Sequence, residues 1–224
     1  MTDYYAKRLA GRRLQRCYEL ASDRVRRYLD SEIGHVCSFI EPHHAVLELG
    51  CGYGRVALRL AEHAKAVTGI DVATESLELA AELGESFDNL TFEYMDALDM
   101  TFPDGAFDIV VCIQNGICAF GVDQAALLHE SLRVTRPGGL LMLSSYSDTF
   151  WPHRLAWFEA QSREGLLGPI DYDATGDGVI VCTDGFRSGR LTPEQFESLC
   201  ATVGVTSTIR EIDHSSVFCK IVKP

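Results

Sequence analysis

Five short apolar runs punctuate residues 46–144, each closed by glycine, acidic or turn residues, with stretches of helical spacing between them. Val46, Leu47 and Leu49 read as a buried parallel strand, and Ala66 to Ile70 as a second that ends at Asp71. Leu90 to Met95, Phe107 to Ile113 and Leu140 to Ser144 supply the third, fourth and fifth. The turns Phe102-Pro103-Asp104-Gly105 and Arg136-Pro137-Gly138-Gly139 lead into the last two. A helix is expected to open at Arg55, directly after the first strand and its glycine loop. Strands alternating with helices predict βαβ crossovers in a parallel sheet. Beyond the fifth strand the alternation lapses. Residues 147–190 carry Phe150, Trp151, Trp157, Phe158, Tyr172 and Phe186 between glycine-rich turns, with a strand-like run over Val179–Cys182. A connection longer than ~15 residues in a compact domain commonly has its own structure and a function, here expected to be that of a lid. Thr192 then caps a helix with Pro193 in its first turn, running through Cys200, and Val205–Ile212 with Val217–Val222 form a closing antiparallel pair.

The chemistry concentrates where the first strand ends. Glu48 is followed by Gly50, Gly52 and Gly54, glycines at alternate positions that let a ligand approach the backbone. A dinucleotide fingerprint would place its third glycine at position 55, which is Arg55, so close helix packing against a pyrophosphate is not provided for. The Glu48 carboxylate would repel a pyrophosphate and suits a ligand carrying an ammonium and a sulfonium, which is S-adenosylmethionine. Asp71 lies about 20 residues past the loop, the usual place for an acid that accepts from ribose hydroxyls. Asp96 and Ala97, after the third strand, can meet an adenine amino group and ring nitrogen.

Residues 45–146 in this way resemble a class I S-adenosylmethionine-dependent methyltransferase, through E-L-G-C-G-Y-G, I-D-V, M-D-A-L, F-P-D-G-A-F-D-I-V and R-P-G-G-L-L in the family's order. The resemblance implies a Rossmann-like three-layer α/β/α sandwich with a seven-stranded, mostly parallel sheet whose last strand is antiparallel. N-terminal helices precede it and a lid follows strand five. As one methyltransferase domain it divides into a helical cap (1–42), a cofactor-binding core (43–146), a substrate lid (147–190) and a C-terminal helix and hairpin (191–224). The implied cofactor-facing set is Tyr5, Glu48, Gly50, Cys51, Gly52, Asp71, Val72, Asp96, Ala97 and Gln114, with Tyr4 beside Tyr5 on a cap that folds over the cofactor. Gln114-Asn115-Gly116 departs from the Asn/Asp-Pro-Pro-aromatic signature of enzymes that methylate amino groups of bases, which argues against such targets.

Family topology returns the turn Asp213-His214-Ser215-Ser216 to the carboxyl edge of the sheet, where ligands bind. His214 is thus a candidate general base, since imidazole titrates near neutrality. Gln114, Asn115, Tyr146, Trp151, His153 and Arg187 are the candidates for the acceptor pocket. His43, His44, His63 and His129 read as structural.

Composition narrows the remaining choices. At 224 residues with 46% hydrophobic content the chain suits one soluble α/β domain. No run approaches the ~20 apolar residues of a membrane span and the first residues lack a signal-peptide core, so the cytoplasm is the expected location. Eight cysteines show neither a C-x-x-C pair nor zinc spacing, so no metal is expected. A net charge of −12 argues against a nucleic-acid partner and for a small-molecule acceptor. Eight basic residues between Lys7 and Arg27 run the other way: they are either a solvated face or an attraction for an anionic partner. Methylation of a protein or RNA, and non-catalytic cofactor binding, stay open as alternatives, and oligomeric state is not read from the sequence.

Overall fold

Three helices, α1 (Asp3–Arg8), α2 (Gly11–Glu19) and α3 (Asp23–Cys37), lead into β1 (Ala45–Leu49) in the computed structural model, which describes residues 3–224. Ser22 caps α3 by accepting from the Val25 N–H. The alternating part follows as α4 (Arg55–Ala61), β2 (Ala66–Asp71), α5 (Thr74–Gly84), β3 (Leu90–Tyr94), β4 (Phe107–Cys112), α6 (Gly116–Ala119), α7 (Gln124–Val134) and β5 (Thr135–Tyr146). The stretch after β5 contains α8 (Trp151–Arg163) and the two-residue strands β6 (Ile180–Val181) and β7 (Arg187–Ser188). The chain closes with α9 (Pro193–Val203), β8 (Ser207–Ile212) and β9 (Ser216–Val222). A capping box between Thr192 and Gln195 starts α9.

The main sheet has the order β3-β2-β1-β4-β5-β9-β8. Strands β1 to β5 pair in parallel, and β9 lies antiparallel to both β5 and β8. This is the Rossmann-like, mostly parallel sheet with one antiparallel strand that the motif order implies. Strand order reverses between β1 and β4, and ligands bind outside the carboxyl ends of such a switch point. One expectation needs correcting. The turn at Arg136–Gly139 is instead the irregular start of β5, because the residue just past β9 holds its main chain: Gly138 N donates to Lys223 O at 2.8 Å and Lys223 N to Gly139 O at 2.9 Å. The pairing of β4 with β5 shifts register between Phe107 and Ile109 to absorb it.

Side chains of β1 and β4 alternate between two cores. Leu47, Leu49, Val110 and Cys112 pack with Leu127, Leu128 and Phe196 on the face covered by α7 and α9. Val46, Ile109 and Val111 pack with Ile33, Val36, Ala57 and Leu60 beneath α3 and α4. A third cluster lies off the carboxyl edge of the sheet. There Leu9, in the link between α1 and α2, and Cys17, Val25 and Tyr28 of the N-terminal helices meet Tyr146, Phe150, Trp157, Phe158 and Phe186. Residues 147–188 are therefore joined to the N-terminal helices by a shared apolar core, and the two together roof the switch point. Among the described residues no helix is long and apolar enough to cross a membrane.

Candidate functional site

The floor of the site is main chain. Gly50, Gly52 and Gly54 have φ of 69°, 53° and 84°, a region where a Cβ is strained. Gly50 N and Cys51 N donate to Ile70 O at 2.8 and 3.0 Å, pinning the loop to β2. The Phe120 ring lies directly over Gly50, and a Cβ on Gly52 would sit 2.9 Å from Leu14 Cδ2. Asp71 closes the loop from the side: Oδ2 accepts from Gly52 N and Oδ1 from Ala73 N, both at 2.8 Å. Burial raises its pKa, and these N–H donors oppose the rise.

Glu48 stands behind the loop, 5% exposed, with Oε2 lacking a hydrogen-bond partner among the described residues. Burial pushes its pKa up to about 8, against the pull of the Arg55 guanidinium and a bond from the Ala57 N–H, with Asp71 adding to the rise. Arg55 lies 4.5 Å over the Tyr18 ring and donates to Gln114 Oε1. Gln114 and Asn115 at the end of β4 both adopt left-handed backbone, with φ of 56° and 66°. They are held there. Gln114 N donates to Glu32 Oε2 at 2.7 Å and to Ser144 Oγ at 2.8 Å. Asn115 donates to Gly189 O at 3.1 Å and accepts from Ser145 Oγ at 2.7 Å. Glu32, fully buried on α3, has its pKa pushed up to about 7 by burial, with Ser216, Ser144, the Gln114 N–H and Arg55 pulling the other way.

Above this floor is a cleft of about 1130 Å³, counted with the solvent at its mouth. Tyr5, Leu14 and Tyr18 of the N-terminal helices, Leu9 between α1 and α2, and Trp157, Phe158 and Gln161 of α8 roof it. The roof is cross-tied, since Trp157 Nε1 donates to Cys17 O at 2.8 Å. Beside it, Arg154 is the largest fully buried side chain in the described chain. Its guanidinium donates to Gly178 O, Ser188 O, Ser188 Oγ and Gly189 O at 2.7 to 3.1 Å, and it lies 4.1 Å from the centre of the Tyr146 ring.

The basic N-terminal stretch is committed within the molecule. Arg12 pairs with Glu82, Arg16 with Glu19 and Glu164, Arg8 with Asp184, and Arg24 and Arg27 with Asp213. These contacts fasten the roof to α5, to the loop after α8 and to the β8–β9 turn.

Of the residues singled out from the sequence, Tyr5, Glu48, Gly50, Cys51, Gly52, Asp71, Gln114, Asn115 and Tyr146 line this one cleft. The others do not. Tyr4 donates to Asp184 Oδ2 at 2.5 Å at the outer face of the roof. Val72 and Ala97 are not among its lining residues, and exposed Asp96 accepts from the Leu98 N–H at 2.9 Å. Trp151 is half-buried outside the cleft, and His153 and Arg187 are exposed. The turn bearing His214 does return to the carboxyl edge, where Ser147 N donates to Ser215 O at 2.9 Å. The His214 ring itself is 87% exposed and lies 3.4 Å from Glu211, so it is no base for a group in the cleft. Left-handed backbone at Asp213 and His214 turns it outward. Glu41, His43 and His44 gather their ligand atoms within 4.8 Å of one another at the opposite edge, where His44 Nδ1 already accepts from the Glu41 N–H. The sequence reading placed Trp157 among the lid aromatics but missed Leu14, Tyr18, Arg55, Phe120 and Gln161 as cleft residues and Glu32 as a support. Only Arg55, one position beyond the glycines, carried a local signal.

Residues 46–139 match the family described as methyltransferase domain. The 2-methyl-6-phytyl-1,4-hydroquinone methyltransferase of Synechocystis sp. is 34% identical over 109 residues, 48% of this chain and 34% of that protein. The 27-O-demethylrifamycin SV methyltransferase of Amycolatopsis mediterranei is 33% identical over 105 residues, 45% of this chain and 38% of that one. The chain thus spans little more than a third of the length of these relatives. The crystal structure of the PH0226 protein from Pyrococcus horikoshii OT3 superposes over the whole of both chains with a TM-score of 0.68 at 19% identity, which is a likeness of fold. The match to a methyltransferase domain thus falls on the segment that holds the glycine loop, Asp71 and the end of β4.

Proposed function

We propose that the protein transfers the methyl group of S-adenosylmethionine to a small molecule held between the floor and the roof of the cleft. The observation that carries this reading is Glu48: a buried carboxylate with one unpartnered oxygen, behind a glycine loop on which no side chain could stand. A cationic ligand supplies what that oxygen lacks, and a phosphate would be repelled. In this reading Glu48, Gly50, Gly52 and Gln114 hold the methionine part and Asp71 the ribose, with lone pairs to spare beyond its two backbone bonds. The adenine then lies past Asp71, over the loop after β3, where Met95 N donates to Asp71 O at 3.1 Å.

The bound cofactor supplies an electrophilic methyl on a sulfonium. The protein's part is position and dryness. Tyr5, Tyr146, Trp157 and Phe158 exclude water and hold an acceptor flat against the floor, and such alignment is worth ~7 to 11 kcal/mol over a free encounter. The relatives named for a hydroquinone and for rifamycin SV support a small organic acceptor. A protein or RNA acceptor is disfavoured, because the arginines that would attract it are paired within the chain. Non-catalytic binding makes the same cofactor prediction and parts from this reading only at turnover. The test is calorimetry with S-adenosylmethionine, its demethylated product and NAD, followed by labelled-methyl transfer into a metabolite extract. Binding of NAD alone overturns the cofactor assignment, and tight binding with no transfer to any species overturns the enzymatic one.

A further inference from the structure

The cleft is electrically lopsided. Its floor holds the carboxylates Glu48 and Asp71 together with Arg55, whereas behind the wall beneath the roof, against the lining residues Tyr146, Phe158 and Ser188, lies a second cation that no carboxylate among the described residues answers. Arg154 is 1% exposed, and among the described residues it forms no ion pair; its partners are three carbonyls and the Ser188 hydroxyl, and Nε has none. An isolated buried guanidinium is expensive, and carbonyl dipoles and aromatic faces offset only part of that expense. The side chain nonetheless stays where three cleft residues touch it. Tyr146 stacks on it, Phe158 lies 5.7 Å away, and Ser188 accepts from it. Its field reaches the cleft phenols, for it opposes the burial-driven rise of the Tyr146 and Tyr5 pKa values.

A second observation concerns what is missing from the lining. Among the described residues no histidine or lysine lines the cleft, and its two carboxylates belong to the cofactor side. Nothing on the acceptor side is placed to take a proton from a neutral nucleophile near pH 7. Gln161 adds a buried amide on that side with no hydrogen-bond partner among the described residues, a neutral group able to donate to an oxygen.

We infer that the acceptor is an organic oxyanion, a carboxylate or acidic enol or phenol already ionised at neutral pH, selected by the positive wall that Arg154 creates. This rests on the methyltransferase reading above and specifies its substrate class. The oxyanion lone pair forms the new O–C bond as the C–S bond breaks and its electron pair returns to sulfur, giving a methyl ester or ether and a neutral thioether. No proton has to leave, which is why the wall needs no base. A cation and an anion meet and both charges vanish, a change that a dry cleft favours. Arg154 acts as a specificity-determining residue through its field, without touching the reacting atoms.

The test titrates protein saturated with S-adenosylhomocysteine with three matched pairs: indole-3-acetate, 4-hydroxybenzoate and salicylate, each against its amide. At least one carboxylate should bind tenfold or more tightly than its amide at pH 7. Arg154→Met should reduce that preference to within about twofold, with S-adenosylhomocysteine affinity unchanged. If no carboxylate out-binds its amide, or if neither member of any pair binds, the proposal fails. A preference that survives in a folded Arg154→Met protein also overturns it. Should that variant not fold, the wild-type pairs decide alone. Failure to bind S-adenosylhomocysteine would instead sink the methyltransferase reading, so the two outcomes are separable.

Discussion

The floor and the roof of the cleft are built by opposite means. The floor is drawn from residues 48–55, 71–73 and 114–115, three short segments whose main-chain N–H groups, left-handed backbone and two acids do the work. The roof is drawn from residues 5–18 and 146–188, in which one hydrogen bond, from Trp157 to Cys17, joins positions 140 apart in sequence. A main-chain site must be written locally, since only glycine tolerates its geometry. A roof of side chains needs only apolar bulk in the right place, and many sequences can supply that. The floor should therefore respond to substitution through ligand affinity, and the roof through stability and acceptor choice.

The sharpest way to break this contrast is Trp157→Ala. It removes a buried indole from the shared core along with its tie to Cys17, so a loss of about 3 to 5 kcal/mol is expected. For a chain of this size that lowers Tm by very roughly 6 to 20 °C. Trp151→Ala, at a half-buried position outside the cleft, should lose less and leave acceptor kinetics unchanged. A melting curve beside two-substrate kinetics reads both. If Trp157→Ala weakens cofactor binding in its folded fraction as much as it lowers Tm, the roof is part of the floor's site and the contrast fails.

Gly50→Ala attacks the floor. The new Cβ enters a left-handed position, at about 1 to 2 kcal/mol, and meets the Phe120 ring besides. Calorimetry should find S-adenosylhomocysteine binding reduced a hundredfold or more, with the third core intact. Asp71→Ala should follow at about 1 to 3 kcal/mol, or roughly 5- to 150-fold in affinity, by removing an acceptor for ribose hydroxyls and for the Gly52 and Ala73 N–H groups. Unchanged affinity in either folded variant would show that the cofactor sits elsewhere.

The same division explains what could be read from the chain beforehand. Glu48, the glycines and Asp71 were legible because each must occupy its place in a fixed strand-loop-helix spacing. Tyr146 was legible as the end of β5. Leu14, Tyr18 and Gln161 were not, because helical periodicity marks a face as buried without naming what it covers. His214 misled for a related reason: topology brought its turn to the correct edge, but the left-handed backbone there turns the ring to solvent. The basic stretch was ambiguous until its acids could be seen, since Glu82, Glu164 and Asp213 lie 70 to 189 positions from the arginines they meet.

A pH series tests the floor more gently. Glu48 titrates near 8 in the cleft, and a ligand bearing positive charge favours its carboxylate, so binding below that pH releases a proton. Affinity for S-adenosylmethionine should rise between pH 6 and 7.5, by at most about tenfold per unit, and Glu48→Gln should flatten the rise. Calorimetry in buffers of different ionisation enthalpy counts the proton directly. The ligand-free fold moves the other way. A carboxyl whose pKa rises from 4.5 to about 8 on folding binds more protons when folded, so its contribution to stability falls as pH climbs across that interval and is constant above it. Glu48→Gln should accordingly gain Tm relative to wild type between pH 5 and 8.

The smallest effect concerns the ion pairs that fasten the roof. Arg12 with Glu82 and Arg16 with Glu164 are exposed on both partners, and exposed pairs contribute about 0.2 to 1 kcal/mol each and are screened by salt. Arg24 with Asp213 is more sheltered and should be screened less. Raising NaCl from roughly 0.05 to 0.5 M shortens the Debye length from about 14 to 4 Å, which should weaken the pairs while leaving the aromatic core between the N-terminal helices and α8 in place. Hydrogen exchange of α2 amides should then quicken by no more than about tenfold, equivalent to about 1.4 kcal/mol, with β4 amides unchanged as the internal reference. Arg12→Ala with Arg16→Ala should reproduce that shift at low salt and abolish its salt dependence. If salt or the double variant instead frees α2 completely, ion pairs hold the roof, and the distinction drawn here between a floor fixed by backbone and a roof fixed by apolar packing has to be abandoned.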